Sequence, residues 1–219
     1  MSKQEITKRY ALFVFSLFLS ALGVALTRQG EMGVSPISSV ANVLSFRFTD
    51  ISLGMWLIAW NCLLIFGQIL ILRKKFQLVQ LIQIPLSFLF GYFTDLGLWM
   101  TSFLPDDIYF FRLIMVLAGI VILSLGVALS VIANVVMNSG EAFVQALTLL
   151  LKKKFGNVKI AFDIICVVFS IALSLFLLDG NIIGTGEGTI LTALFTGFIV
   201  NFFVSRLSNP CKAFLCLSA

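Results

Sequence analysis

The side chains able to do chemistry are few and oddly placed. Asp95 and Asp163 fall inside long apolar runs, Asp163 one helical turn after Lys159. An ionisable group in such a run is costly to bury and marks a candidate functional position. An aspartate in an apolar site can also carry a coupling proton, because burial favours its neutral form. Either residue can equally lie near a segment end and reach water or a helix terminus. Two further acids stand at helix starts: Glu141 in Asn138-Ser139-Gly140-Glu141, and Glu187 in Gly184-Thr185-Gly186-Glu187-Gly188-Thr189. A glycine-rich stretch opening a helix can cradle an anion with backbone N–H groups. This one has no lysine and is not a P-loop, so Glu187 reads as a solvent-facing turn residue or as the charge on an outer gate.

The second chemical feature is a pair of helix starts. In Ser35-Pro36 a serine oxygen can cap free N–H groups, and proline fits the first helical position because its missing donor costs nothing there. Ser139-Gly140 stands in the same relation to a second short helix. Together Ser35, Pro36, Ser139, Glu141 and the nearby Asn134 are the candidate substrate-binding residues. Asp95 and Asp163 are the candidate coupling residues, and Glu187 is the candidate residue at the outer mouth. Asn61, Gln68, Gln80, Gln83 and Ser87 are scattered through apolar runs, where polar residues usually bridge helices. The chain has no histidine. That removes imidazole relays and histidine metal sites. No nucleophile–base pair and no metal-ligand cluster is visible, so neither an enzyme nor a cofactor or metal is expected.

These residues must be positioned by membrane-embedded helices. Hydrophobic residues make up 60% of the 219 and charged residues 11%, with a mean hydropathy of +1.08. A soluble domain of this length needs a larger polar surface. The expected fold is an all-α membrane protein with six transmembrane helices, at about 10–27, 51–72, 78–101, 109–136, 158–178 and 188–204, each near the length of about 20 residues that a bilayer requires. Two short helices, 36–46 and 140–151, are extra. Each reads either as re-entrant, starting near the midplane, or as a flat interfacial connector.

The net charge of +5 is a topology signal rather than a nucleic-acid footprint. Lys3, Lys8, Arg9, Arg73, Lys74, Lys75, Lys152, Lys153, Lys154, Lys159, Arg206 and Lys212 fall on one face of a six-span arrangement. Arg28, Arg47 and Arg112, with Glu31, Asp50, Asp106, Asp107, Asp179 and Glu187, fall on the other. The lysine and arginine bias predicts that both termini are cytosolic. Cys62 and Cys166 lie in apolar runs, while Cys211 and Cys216 follow the last span in a reducing compartment.

The chain also reads as a duplication. Gly23-Val24-Ala25-Leu26 recurs as Gly126-Val127-Ala128-Leu129, a shift of 103, and Gly91 falls on Gly197 with a shift of 106. Residues 1–104 form repeat one and 105–219 repeat two. Three spans per repeat place the second upside down relative to the first, an architecture found in many secondary transporters.

Gly33-Val34-Ser35-Pro36 after the first span, and the 184–189 stretch entering the last, resemble the YczE/YyaS/YitT family of bacterial integral membrane proteins. The likeness covers most of the chain. Relatives often carry an aromatic residue where this chain has Glu187 and a Gly-Pro pair where it has Ser139-Gly140, which marks a divergent member. The resemblance implies a bacterial inner-membrane location and export or uptake of a small molecule, with no catalytic residues. The functional expectation is a small secondary transporter of an organic molecule, working by alternating access. Its partners would be the bilayer, the substrate and, given six short spans, a second copy. The rival expectation is a non-transporting accessory or regulatory subunit of another membrane complex.

Overall fold

The computed structural model describes residues 3–105 and 108–215, with the side chains at 3 and 212–214 set aside. Asp106, Asp107, Cys216 and the Lys3 and Lys212 side chains therefore lie outside the described residues. Among these residues the fold is all helical. Eight α-helices follow one another: α1 (Lys3–Gln29), α2 (Pro36–Arg47), α3 (Leu53–Leu72), α4 (Gln83–Thr101), α5 (Tyr109–Ala133), α6 (Ser139–Leu151), α7 (Phe155–Leu177) and α8 (Glu187–Phe214). Six of these, all but α2 and α6, are long and apolar enough to cross a membrane.

Helix boundaries differ from the apolar runs where hydrogen bonding outlasts hydropathy. Helix α1 begins seven residues before the first apolar run, and α8 continues past Arg206 and through Pro210. The third span opens as a 3-10 segment, Leu78–Ile82, before α4 begins at Gln83. Pro85 accounts for this. It cannot donate to the carbonyl four residues back, so the α-ladder cannot run through it from Leu78, but at the third position of α4 its missing N–H is one of the free donors anyway.

The centre of the bundle is an antiparallel pair, α1 against α5. Glycines bring the two backbones together: a Cβ on Gly23 would lie 2.5 Å from the Leu123 nitrogen, one on Gly126 2.5 Å from the Ser20 nitrogen, and one on Gly119 2.9 Å from the Thr27 nitrogen. Residue numbers fall on one helix as they rise on the other, which is antiparallel packing. An arginine closes each end. The Arg9 guanidinium, buried, donates to the Ala133 carbonyl at 2.8 Å and pairs with Glu5. At the far end Arg112 pairs with Glu31 at 3.1 Å.

The other helices flank this pair. Helix α4 packs on α1 and α8 on α5, α3 packs on α4, and the short helices cross over, α2 onto α7 and α6 onto α3. Backbone details recur at the offsets seen in the sequence. Glu31 and Asn134, just beyond α1 and α5, both have positive φ, 53° and 49°; Arg73 and Asp179, just beyond α3 and α7, have positive φ too, 47° and 52°. The residues before α2 and α6, Ser35 and Asn138, share φ near −57° and ψ of 148°. One relation is not shared. Helices α3 and α4 pack tightly, Gly54 against Gly91, whereas α8 lies on α5 and Gly197 faces open space.

Because no side chain separates α1 from α5, Gly23→Val should overpack the pair and destabilise the protein by about 1–3 kcal/mol. Gly197→Ala should be near neutral. Thermal unfolding of the two purified variants in detergent checks the contrast.

Candidate functional site

Helix α1 ends at Gln29, and the chain then turns back into the bundle instead of crossing the surface. Gly33 makes the turn at φ 102°, a conformation that side chains rarely adopt. Here two loops cross with nothing between them. The Met32 carbonyl accepts from the Gly188 N–H at 2.8 Å, and a Cβ on Gly33 would meet Thr189 Oγ1 at 2.3 Å. The glycine-rich 184–189 stretch is thus occupied by the chain itself. The Thr189 N–H is also spent, on the Gly186 carbonyl.

After this crossing Val34, Pro36, Ser38 and Ser39 are buried, and α2 starts inside the bundle. Helix α6 does likewise, with Ser139 and Gly140 buried. Both starts line one cavity of about 100 Å³. Ser35, Ile37 and Ser38 come from α2 and its cap, and Asn138, Ser139, Gly140 and Glu141 from α6 and its cap. The remaining wall includes Leu17 and Ser20 from α1, Leu57, Trp60 and Asn61 from α3, Ser87 and Phe90 from α4, and Leu123 and Val127 from α5. Several of these lie mid-helix, so both short helices start inside the bundle. A side chain on Gly140 would touch Ile37, which places the two helix starts against one another.

Neither helix start is capped by its own side chain. Ser35 Oγ instead donates to Ser38 Oγ at 3.0 Å. On one side the cavity wall is tied by a reciprocal amide pair. Gln68 Nε2 donates to Gln83 Oε1 at 3.1 Å and to the Ser139 carbonyl at 3.2 Å, and both glutamines are buried.

The sequence-predicted residues divide accordingly. Ser35, Ser139 and Glu141 line the cavity, and Pro36 opens α2 beside it. Glu141 is partly buried, within electrostatic reach of Lys159 and Asp163, which pair with one another on α7. Helix α6 is not one of the six spans, and burial there pushes the Glu141 carboxyl above its ordinary range; Lys159 opposes the rise and Asp163 adds to it. Asn134 lies elsewhere, exposed and left-handed at the end of α5. The lining asparagines are Asn61 and Asn138. Glu187 is exposed, accepts from the Tyr109 hydroxyl at 3.0 Å, and borders a separate surface depression with Glu31, Phe46 and Arg112. Asp95 also stands apart from the cavity. One carboxylate oxygen accepts from the Ser52 hydroxyl at 2.6 Å and the other from the Gly54 N–H at 2.8 Å. It caps α3 from α4, the helix-end role that its position also allowed. Ser20 and Trp60 are lining residues that the sequence did not single out, while Gln83, read there as a helix bridge, both bridges to Gln68 and lines the cavity.

Six apolar helices, with two short helices that start inside the bundle beside one cavity, define a polytopic helical membrane protein. The model of a family of unknown function, DUF6198, matches residues 7–205, and the chain belongs to that family. It is 29% identical over 202 residues to "Uncharacterized membrane protein YczE" of Bacillus subtilis (strain 168), a match covering 91% of this chain and 87% of the relative. This agrees with the family resemblance carried by residues 33–36 and 184–189. No solved structure matches the chain.

Asp95→Asn keeps the shape but weakens the charge-assisted cap, so it should cost about 1–3 kcal/mol of stability. Melting measurements on Asp95→Asn and Ser52→Ala should show both destabilised, and the double variant less than additive.

Proposed function

We propose that the protein is a small secondary transporter of a small organic molecule, working by alternating access around the central cavity. One observation carries this reading: two helix starts inside the bundle, one from each half of the chain, line the same cavity. Broken or short helices whose N-termini point at a central site are the device by which many secondary transporters hold substrate.

We further propose that residues 1–104 and 105–219 are two copies of one unit inserted in opposite directions. The antiparallel α1–α5 pair supports this, as do the crosswise packing of α2 on α7 and α6 on α3 and the positive-φ residues at matching offsets. In this reading Ser35, Ser139 and Glu141 contact substrate, and Asp163, paired with Lys159 beside Glu141, carries the coupling charge. Glu187 lies at the outer mouth, and the basic ends of the spans face the cytosol across a bacterial inner membrane.

The test needs no knowledge of the substrate. Single cysteines replace Ser35 or Ser139 in a chain whose four native cysteines are removed. A membrane-impermeant maleimide is applied to right-side-out and to inside-out vesicles. Alternating access predicts that each position reacts from both sides. Reaction from one side only, or from neither, overturns the transporter reading.

A further inference from the structure

Helix α8 is the least enclosed of the six spans. One face packs on α5: Leu191 and Ile199 lie against Val116 and Ile120, and Glu187 at its start accepts from Tyr109 at the start of α5. The opposite side carries Ala193, Gly197, Asn201 and Ser205, one at every fourth position and all exposed. No atom lies within 4 Å of where a Gly197 Cβ would stand. Such a stripe of small residues assigns nothing alone, since lipid can cover it too.

Asn201 supplies an independent observation. Its side chain is exposed and makes no hydrogen bond among the described residues, whereas the Ser205 hydroxyl is already spent on the Phe202 carbonyl at 2.8 Å. The offset of 78 (187 − 109) between the starts of α8 and α5 sets Asn201 about level with Leu123. That is midway between the two ends of α5, where Arg112 pairs with Glu31 and Ala133 accepts from Arg9. In a bilayer this level is hydrocarbon, so exposure there is not hydration. The amide has two donors and an acceptor with no water to meet them, and an unmet amide in lipid drives association between helices.

Helix α4 shows how the chain covers such a face. Gly91 and Asp95 share the spacing of Gly197 and Asn201 and stand 106 positions earlier. Helix α3 covers both: a Cβ on Gly91 would meet the Gly54 carbonyl at 2.5 Å, and Asp95 accepts from Ser52 and Gly54. Helix α7 does not do this for α8; it packs on α2 and α6. Its Asp163, Ser170 and Ser174 are already paired. Its outward residues Ile160, Ile164, Ile165 and Val168 are large and apolar, so they offer Asn201 no hydrogen bond and Gly197 no close approach. A second α8 offers both. A carboxamide is its own complement, donor to acceptor and acceptor to donor, and glycine facing glycine lets backbones meet. Two copies in one membrane share an orientation, so a two-fold axis along the membrane normal brings each residue level with its own mate.

From these observations we propose that the outward face of α8 is a homodimer interface. Gly197 is the point of closest approach, and the Asn201 amides of the two copies hydrogen-bond to one another across the two-fold axis. The inference goes beyond the transporter reading and does not depend on it.

The test has two arms, both on the full-length chain. In native membranes, a single cysteine replaces Ala193 or, on the outward face of α7, Val168, in a chain whose four native cysteines are removed. Mild oxidation should link two copies through Ala193→Cys and not through Val168→Cys. In liposomes, energy transfer between chains dye-labelled at the N-terminus is followed as lipid dilutes them. Gly197→Leu and Asn201→Leu should each weaken dimerisation ten-fold or more, while Asn201→Gln retains part of it. Neither side chain touches its own chain, so melting temperatures should not move; if one variant fails to fold, the other decides with the cross-linking. A chain that stays monomeric at every dilution, linkage through Val168→Cys but not Ala193→Cys, linkage of Ala193→Cys to a different protein, or undiminished dimerisation in the folded Gly197→Leu and Asn201→Leu chains overturns the proposal. Two-sided labelling at Ser35 and Ser139 bears on transport alone, so either reading can fail while the other stands.

Discussion

The fold depends on how closely α1 and α5 approach. In a membrane there is no hydrophobic gain from pressing one apolar helix against another, because lipid is just as apolar. What remains is close packing, and glycine maximises it by letting backbone meet backbone. Gly23, Gly119 and Gly126 do this along the central pair, and Arg9 and Arg112 fix its register at the two ends. The arginines also satisfy groups at the helix termini that lipid could not. Every other helix is placed relative to this pair: α4 and α8 lie on its flanks, and the short helices fill the space between it and the outer helices α3 and α7.

That arrangement explains how irregular backbone is tolerated inside the bundle. A loop such as 30–35 could not face lipid, because its polar groups would be unmet. It is admitted because protein surrounds it. The Met32 carbonyl is satisfied by Gly188, Asn42 Nδ2 donates to the Gly184 carbonyl at 2.6 Å, and Ser170 and Thr185 share a hydrogen bond at 2.9 Å.

The parts legible in the sequence were those written in one dimension. Runs of apolar residues gave the six spans, and Ser35-Pro36 gave the start of α2 to the residue. The start of α6 was displaced by one, since Asn138 rather than Ser139 precedes the helix. Whether the short helices dip inward was not legible, because an amphipathic pattern looks the same against a headgroup layer and against a protein interior. Asp95 shows the same limit. Its chemistry was evident, but its partners Ser52 and Gly54 are brought to it only by the α3–α4 packing. The 184–189 stretch had the composition of an anion cradle, and only the three-dimensional structure shows that a carbonyl of the same chain fills it. Ser20 and Trp60 carried no signal, since lining a cavity is a property of surroundings.

The crossing of residues 32–33 over 186–188 also has a mechanical meaning. Most contacts between protein segments are cushioned by side chains, which rotate and let the segments slide. Here the contact is backbone on backbone through glycines, held by one short hydrogen bond. Such a joint has almost no compliance: it stays closed or comes apart. The end of α1 and the beginning of α8 are therefore kinematically one body. Any motion that changes the size of the cavity while the joint is shut must be taken up elsewhere, where flexible side chains fill the gaps between helices.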